Sequence, residues 1–271
     1  MKKIKIVAIS FFIIILFAVR SFALDVVALS PWISVLTYFI GGIKVNVTSL
    51  STWDTDRVSR TRIRNVLNAD TNIIALDKSE FPRIGLDERD YRNVRYLYEN
   101  APFEESECDK YFGDPSVLPF IAQRLLPILS SLDPDNFPYY QRRLAEFQTR
   151  LSSTTLAGRN LLKGLKVLDL SYWSGYFLIA AGCELQRPAQ EDMDEWVRQR
   201  QLEKLYELVV KTQKENRLVI MDAATPKPIR NTLSSLPNII TLSRPPLDQD
   251  FLAFLHDQYL IIWNEVKDKI K

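Results

Sequence analysis

The spacing of apolar and polar positions divides the chain into strands and helices that alternate. Over residues 133–162 the period is helical: Phe137, Tyr140, Leu144, Phe147 and Leu151 recur three or four residues apart. Gln141, Arg142, Arg143, Glu146, Gln148 and Arg150 fill the other faces. Asp133-Pro134 and Asn136 with Pro138 offer two starts, because Asp and Asn cap helices and Pro suits a first turn. Five apolar positions over two heptads are too few for a coiled-coil arm. Ahead of this helix, β-branched or alternating runs predict strands at 25–29, 44–50, 72–76 and 94–98, and helices at 31–40, 57–68 and 115–131. Residues 77–90 read as charged and irregular, and 102–109 as an acidic loop. Behind it, strands are predicted at 166–170, 218–221 and 239–242, and helices at 172–181, 195–215 and 226–235. A final helix follows, capped by Asp248, with Phe251, Leu255, Ile262 and Val266 inward.

Strands separated by helices imply parallel sheets with crossover connections. The predicted class is therefore α/β: two lobes, each with a mostly parallel sheet flanked by helices, joined by one long connector helix. Strand ends would then face each other across a cleft between the lobes. The expected boundaries are 24–132 for the first lobe, 133–162 for the connector and 163–271 for the second lobe.

The first residues set the compartment. Lys2, Lys3 and Lys5 precede residues 6–19, which are apolar apart from Ser10, and Ser21-Phe22-Ala23 supplies small residues for cleavage. This predicts a secretory signal peptide over 1–23, cleaved after Ala23, and a periplasmic protein. The run is short for a membrane span and Arg20 closes it. Removing Lys2, Lys3, Lys5 and Arg20 from 35 basic residues leaves 31 against 33 acids, a net charge near −2. No basic block interleaved with aromatics remains, so nucleic acid is not an expected partner. Cys108 and Cys183 fall in different lobes; a bridge between them and two buried free thiols both fit the sequence.

Catalytic motifs are absent. There is no Gly-x-Ser-x-Gly elbow, no phosphate loop and no His-Glu-x-x-His, and the single histidine, His256, lies on the last helix. Neither an enzyme nor a cofactor is expected.

Three segments carry a family resemblance: DVVALSPWISVLTYFIGGIKVNVTSL, LSSLDPDNFPYYQRRLAEFQTRL and KVLDLSYWSGYFLIAAGCEL. They resemble the opening strand–helix–strand, the backbone helix and the second-lobe opening of the zinc- and manganese-type solute-binding proteins of bacterial ABC importers. The resemblance implies a metal held between the lobes by three histidines and a carboxylate. Here the first position falls near Trp53, Asp54 and Asp56. The second falls in Lys110-Tyr111-Phe112-Gly113-Asp114-Pro115, and the third on Ser171, ahead of Gly175-Tyr176. The carboxylate position falls near Asp222, with Ser243 at another acidic position. A lysine in place of a ligand repels a cation, and a tight zinc site needs N, S or O donors converging on one point. Asp54, Asp56 and Asp114 read more simply as loop and helix-capping residues.

Trp53, Tyr111, Phe112, Tyr172 and Trp173 all lie on loops that the resemblance points at the cleft, which fits two readings equally: an organic or chelated ligand replaces the metal, or some of these rings pack the lobe cores or close an empty cleft. The candidate ligand-binding residues are Trp53, Asp54, Lys110, Phe112, Ser171, Trp173, Asp222 and Ser243, with Lys110 placed opposite Ser171 and paired with Asp222. The implied partners are an importer permease in the inner membrane and a small solute, a metal chelate among the candidates. The alternative is a partner-binding or assembly protein that kept the fold and binds no small solute.

Overall fold

In a computed structural model the described residues are 23–53, 58–102, 107–198 and 201–267. Residues 1–22 of the expected signal peptide, together with Asp54, Asp56 and part of the acidic loop, lie outside them. In the first lobe β1 (Leu24–Ala28), β2 (Val45–Ser49), β3 (Asn72–Ala75) and β4 (Asn93–Tyr96) form a parallel sheet in the order β2-β1-β3-β4. In the second, β5 (Lys166–Asp169), β6 (Glu184–Gln186), β7 (Leu218–Asp222) and β8 (Ile239–Leu242) repeat that winding in the order β6-β5-β7-β8. The inner strands are near-continuous apolar runs, as parallel strands covered on both faces require. β6 was not expected; three residues with no alternation give no period to read.

The first lobe's helices are α1 (Pro31–Gly41), α2 (Arg60–Val66), α3 (Glu80–Arg83), α4 (Cys108–Phe112) and α5 (Leu118–Leu132). Ser30 caps α1, and every residue of α1 except Tyr38 is buried. α3 lies in the stretch read as irregular, and α4 turns residues expected on a loop into a helix.

The connector α6 (Phe137–Leu162) runs for 26 residues after a 3₁₀ turn at Pro134–Asn136. Tyr140, Leu144, Phe147 and Leu151 are buried as expected, whereas Phe137 at the start is exposed. Tyr140 donates its hydroxyl to Asp133 Oδ2 at 2.6 Å. Arg143 clamps the end of α1, donating through Nε (3.0 Å) and Nη2 (2.7 Å) to the Phe39 carbonyl, with its guanidinium 4.5 Å from the Phe39 ring centre.

Beyond it come α7 (Gly175–Ala180), α8 (Gln190–Arg198), α9 (Leu202–Lys214), α10 (Lys227–Leu233) and α11 (Phe251–Val266). The single helix expected over 195–215 is thus two. The last helix is capped by Asp250 rather than Asp248, its Oδ1 accepting from Leu252 N–H (2.9 Å) and Ala253 N–H (3.1 Å). Phe251, Leu255, Ile262 and Val266 point inward. α11 packs along α6 and reaches α1, so the second lobe also grips the first through this helix. Gly158 lets it come close, since a Cβ there would run into the Tyr259 ring.

The largest apolar core is continuous from the first lobe across α6 into the second, and two smaller clusters lie on the outer faces of the sheets. Cys108 is half-buried and Cys183 buried, and no disulfide joins them across the lobes. Burial pushes the Cys183 thiol up to about 12.

Candidate functional site

In an open parallel sheet, ligands settle in the crevice beyond the carboxyl ends of the strands where the winding reverses. In the first lobe that point lies between β1 and β3; in the second, between β5 and β7. The two crevices differ. At the second, Asp222 is engaged by the protein itself: its Oδ2 accepts from the N–H groups of Tyr172 (2.7 Å) and Trp173 (2.8 Å). Its Oδ1 accepts from Ala224 and Thr225 N–H, both at 2.9 Å. Burial raises the Asp222 carboxyl, and these N–H groups together with Arg244 oppose the rise. Ser171 donates to Asp169 Oδ1 at 2.5 Å, and Asp169 Oδ2 takes Arg187 at 2.7 Å.

The first crevice is open. A pocket of about 250 Å³ is bounded by Ser30 and Trp32 after β1, Trp53 after β2, and Glu80 and Arg83 after β3; Cys108, Asp109, Phe112 and Arg244 also line it. Glu80 is only 3% exposed, because its Oε2 turns in to accept from Leu76 N–H at 2.6 Å. Burial pushes its carboxyl up to about 7 against the pull of that N–H and of Arg83, whose Nη2 is 3.2 Å from Oε1.

Arg244 enters from the second lobe. Its Nη1 reaches Asp109 Oδ2 at 2.9 Å and its guanidinium lies 5.0 Å from the Trp53 ring centre. Asp109 Oδ1 accepts from Trp32 Nε1 at 2.6 Å, and Trp53 Nε1 donates to the Pro245 carbonyl at 2.8 Å. The lobes are therefore joined by an ion pair and a hydrogen bond at the pocket's rim.

Behind the rim, rings fill the ground between the lobes. Trp32 stacks on Phe112 (centroids 5.6 Å apart, 18° between planes) and meets Trp53, Trp173 and Phe251 edge-on at 4.9, 6.4 and 6.2 Å. Gly113 permits this closeness, since any Cβ there would collide with the Trp173 carbonyl oxygen.

Of the residues expected at the site, Trp53 and Phe112 come together on the pocket. Trp173 is a fully buried core ring, and Ser171 and Asp222 are engaged within the second lobe's crevice. Ser243 is exposed, its N–H donating to Gln258 Oε1 at 3.1 Å. Asp54 lies outside the described residues. Asp114 caps a turn, accepting from Ser116 N–H (2.8 Å) and hydroxyl (2.7 Å).

The expected pairing of Lys110 with Asp222 is not found. Lys110 Nζ is 3.9 Å from Glu107, and its side chain lines a separate pocket with Asp169, Tyr172, Tyr176 and Arg187. The cause is the helix at 108–112: residues two apart point about 200° away from each other, so Phe112 facing inward turns Lys110 away. The sequence also failed to reveal Glu80, Asp109, Arg244 and Trp32, though Trp32 follows the Ser-Pro cap closely enough to have signalled a side chain at a strand's end.

These four side chains supply two carboxylates, one guanidinium and one indole, not a converging donor set. Among the described residues no group of three or more His, Cys, Asp or Glu is placed to hold a metal ion.

Neither a protein-family model nor a curated protein matches the sequence. Solved structures do. ZnuA superposes with a TM-score of 0.64 at 16% identity, over 89% of this chain and 98% of that one. The SBP FpvC from Pseudomonas aeruginosa in complex with Mn2+ gives 0.63 at 12% identity, over 91% and 99%. The laminin-binding protein Lmb of Streptococcus agalactiae, described as bifunctional with adhesin and metal-transporting activity, gives 0.63 at 13% identity, over 90% and 100%. The chain has their fold. That is the fold of the metal-type solute-binding proteins, and the expected two-lobe architecture with a long connector is the one observed.

Proposed function

We propose that the chain is the extracytoplasmic solute-binding component of an ABC importer whose ligand is a non-metal or chelated solute. It would be exported by the predicted signal peptide, begin at Leu24 after cleavage, and deliver its solute to an inner-membrane permease. The observation that carries this reading is the exchange of chemistry between the lobes. In a fold whose solved examples include a manganese complex, the central space here is occupied by Trp32, Phe112, Trp173 and Phe251. A hard or borderline cation needs oxygen or nitrogen donors in that space, and stacked rings with the neighbouring Arg244 guanidinium supply none. The test is thermal melting with zinc and manganese. Stabilisation follows ligand concentration over dissociation constant, so low-micromolar metal should leave the melting temperature unchanged. A rise of several degrees would contradict the reading.

A second reading has one observation in its favour. The Asp109–Arg244 pair and the Trp53–Pro245 bond already hold the lobes together, as suits a protein whose outer surface, not its cleft, meets a partner. Lmb, with the same fold, is described as an adhesin. Under this reading no small molecule co-purifies with the chain.

A further inference from the structure

The first-lobe crevice carries enough chemistry to name a class of solute, on the reading that the chain binds one. Its four ionisable side chains come as two pairs, Glu80 with Arg83 at 3.2 Å and Asp109 with Arg244 at 2.9 Å. With both signs present, a bare cation or anion would meet repulsion as well as attraction and leave its own charge uncompensated in a partly enclosed site. A molecule carrying both signs adds no net charge and meets an opposite partner at each end. The guanidinium of Arg244 is a planar fork of five donors suited to a carboxylate. A carboxylate such as Asp109 has about four acceptor sites, of which Trp32 Nε1 and Arg244 Nη1 take two. Trp32, Trp53 and Phe112 give an apolar wall for whatever lies between the charged ends. About 250 Å³ falls below the roughly 300–1,000 Å³ of drug-sized sites, so the solute is small.

We propose that this crevice binds a small zwitterion of the amino-acid class. Its carboxylate would lie on Arg244, its ammonium on Asp109, and its side chain against Trp32, Trp53 and Phe112. Because Arg244 belongs to the second lobe and Asp109 to the first, such a ligand would bridge the lobes and favour their closed arrangement.

The test is calorimetric titration and thermal melting of the mature protein with each of the twenty standard L-amino acids, alongside zinc, manganese, inorganic phosphate and glucose. One or a few amino acids should bind and raise the melting temperature by several degrees. Arg244→Gln should weaken that binding at least tenfold, while Arg89→Gln, on the exposed surface, should not. Arg244→Lys, which keeps the charge and loses the fork, separates a folding defect from a binding one and should fall between wild type and Arg244→Gln. Amino-acid binding undiminished in Arg244→Gln would overturn the site. A response to phosphate, glucose or metal alone would overturn the ligand class and leave solute binding standing. No response to any probe would overturn the proposal, and if no small molecule co-purified, the solute-binding reading would fall with it.

Discussion

Replacing Glu80 by Gln tests whether a carboxyl is held in the first-lobe crevice at an energetic cost. In the folded protein burial pushes Glu80 up to about 7, against 4.5 for an ordinary glutamate. The folded state therefore keeps this proton where the unfolded chain has released it. Its contribution to stability is complete below about pH 4.5 and is lost as the pH rises through about 7. A difference of about 2.5 units at about 1.36 kcal/mol each makes the loss on the order of 3 kcal/mol by pH 8. Gln resembles the protonated acid and can still accept from Leu76 N–H, so Glu80→Gln escapes the loss. The ion pair to Arg83 offsets little, because the Arg83 side chain is about a third exposed. Ligand-free wild type and Glu80→Gln should thus melt together near pH 4.5. At pH 8 the variant should melt higher by roughly 6–12 °C, at about 2–4 °C per kcal/mol for a chain of this size. Melting curves by circular dichroism from pH 4.5 to 8 measure this directly. Parallel profiles for the two proteins would refute the argument, since they would mean that Glu80 titrates as an exposed acid.

Three further outcomes follow from the packing. Gly113→Ala should destabilise the protein by about 3 kcal/mol in urea unfolding, because the added methyl meets the backbone oxygen of Trp173 and the lobes must part to admit it. Arg143→Ala should cost about 1–2 kcal/mol in the same assay, from loss of the two hydrogen bonds to the Phe39 carbonyl and of the contact with its ring. Arg89→Ala, which breaks a shorter but fully exposed pair with Asp87, should leave the urea midpoint where it was. Zinc at low micromolar concentration should not shift the melting temperature.

Much of the fold was readable because the cues are local. The β-branched runs at β1, β3 and β7 mark strands that are covered on both faces, and the three-and-four spacing from Tyr140 to Leu151 marks the buried side of α6. The break between α8 and α9 was not readable, since Trp196, Leu202, Leu205 and Val209 suggest one amphipathic run across it. The site was less legible for a different reason. Glu80 stands in a charged stretch with no period, and only the packing of three strand ends around it makes it a buried acid. Trp53 was placed by the order of elements, which survives in the fold, and Phe112 by the same matched run as Lys110. Lys110 was placed by matching a loop that here is a helix, and a two-residue offset on a helix reverses the direction of a side chain. Asp222 looked like a cleft carboxylate, yet its four N–H partners make it a brace for the turn that carries Tyr172 and Trp173.

The most direct measurement is native mass spectrometry of the protein purified from its own host and never exposed to denaturant. The account predicts one small organic adduct per chain, shed when Arg244→Gln is purified in the same way, and no adduct at the mass of a zinc or manganese ion. A stoichiometric metal adduct, or a chain free of any small molecule under every gentle condition, would contradict it.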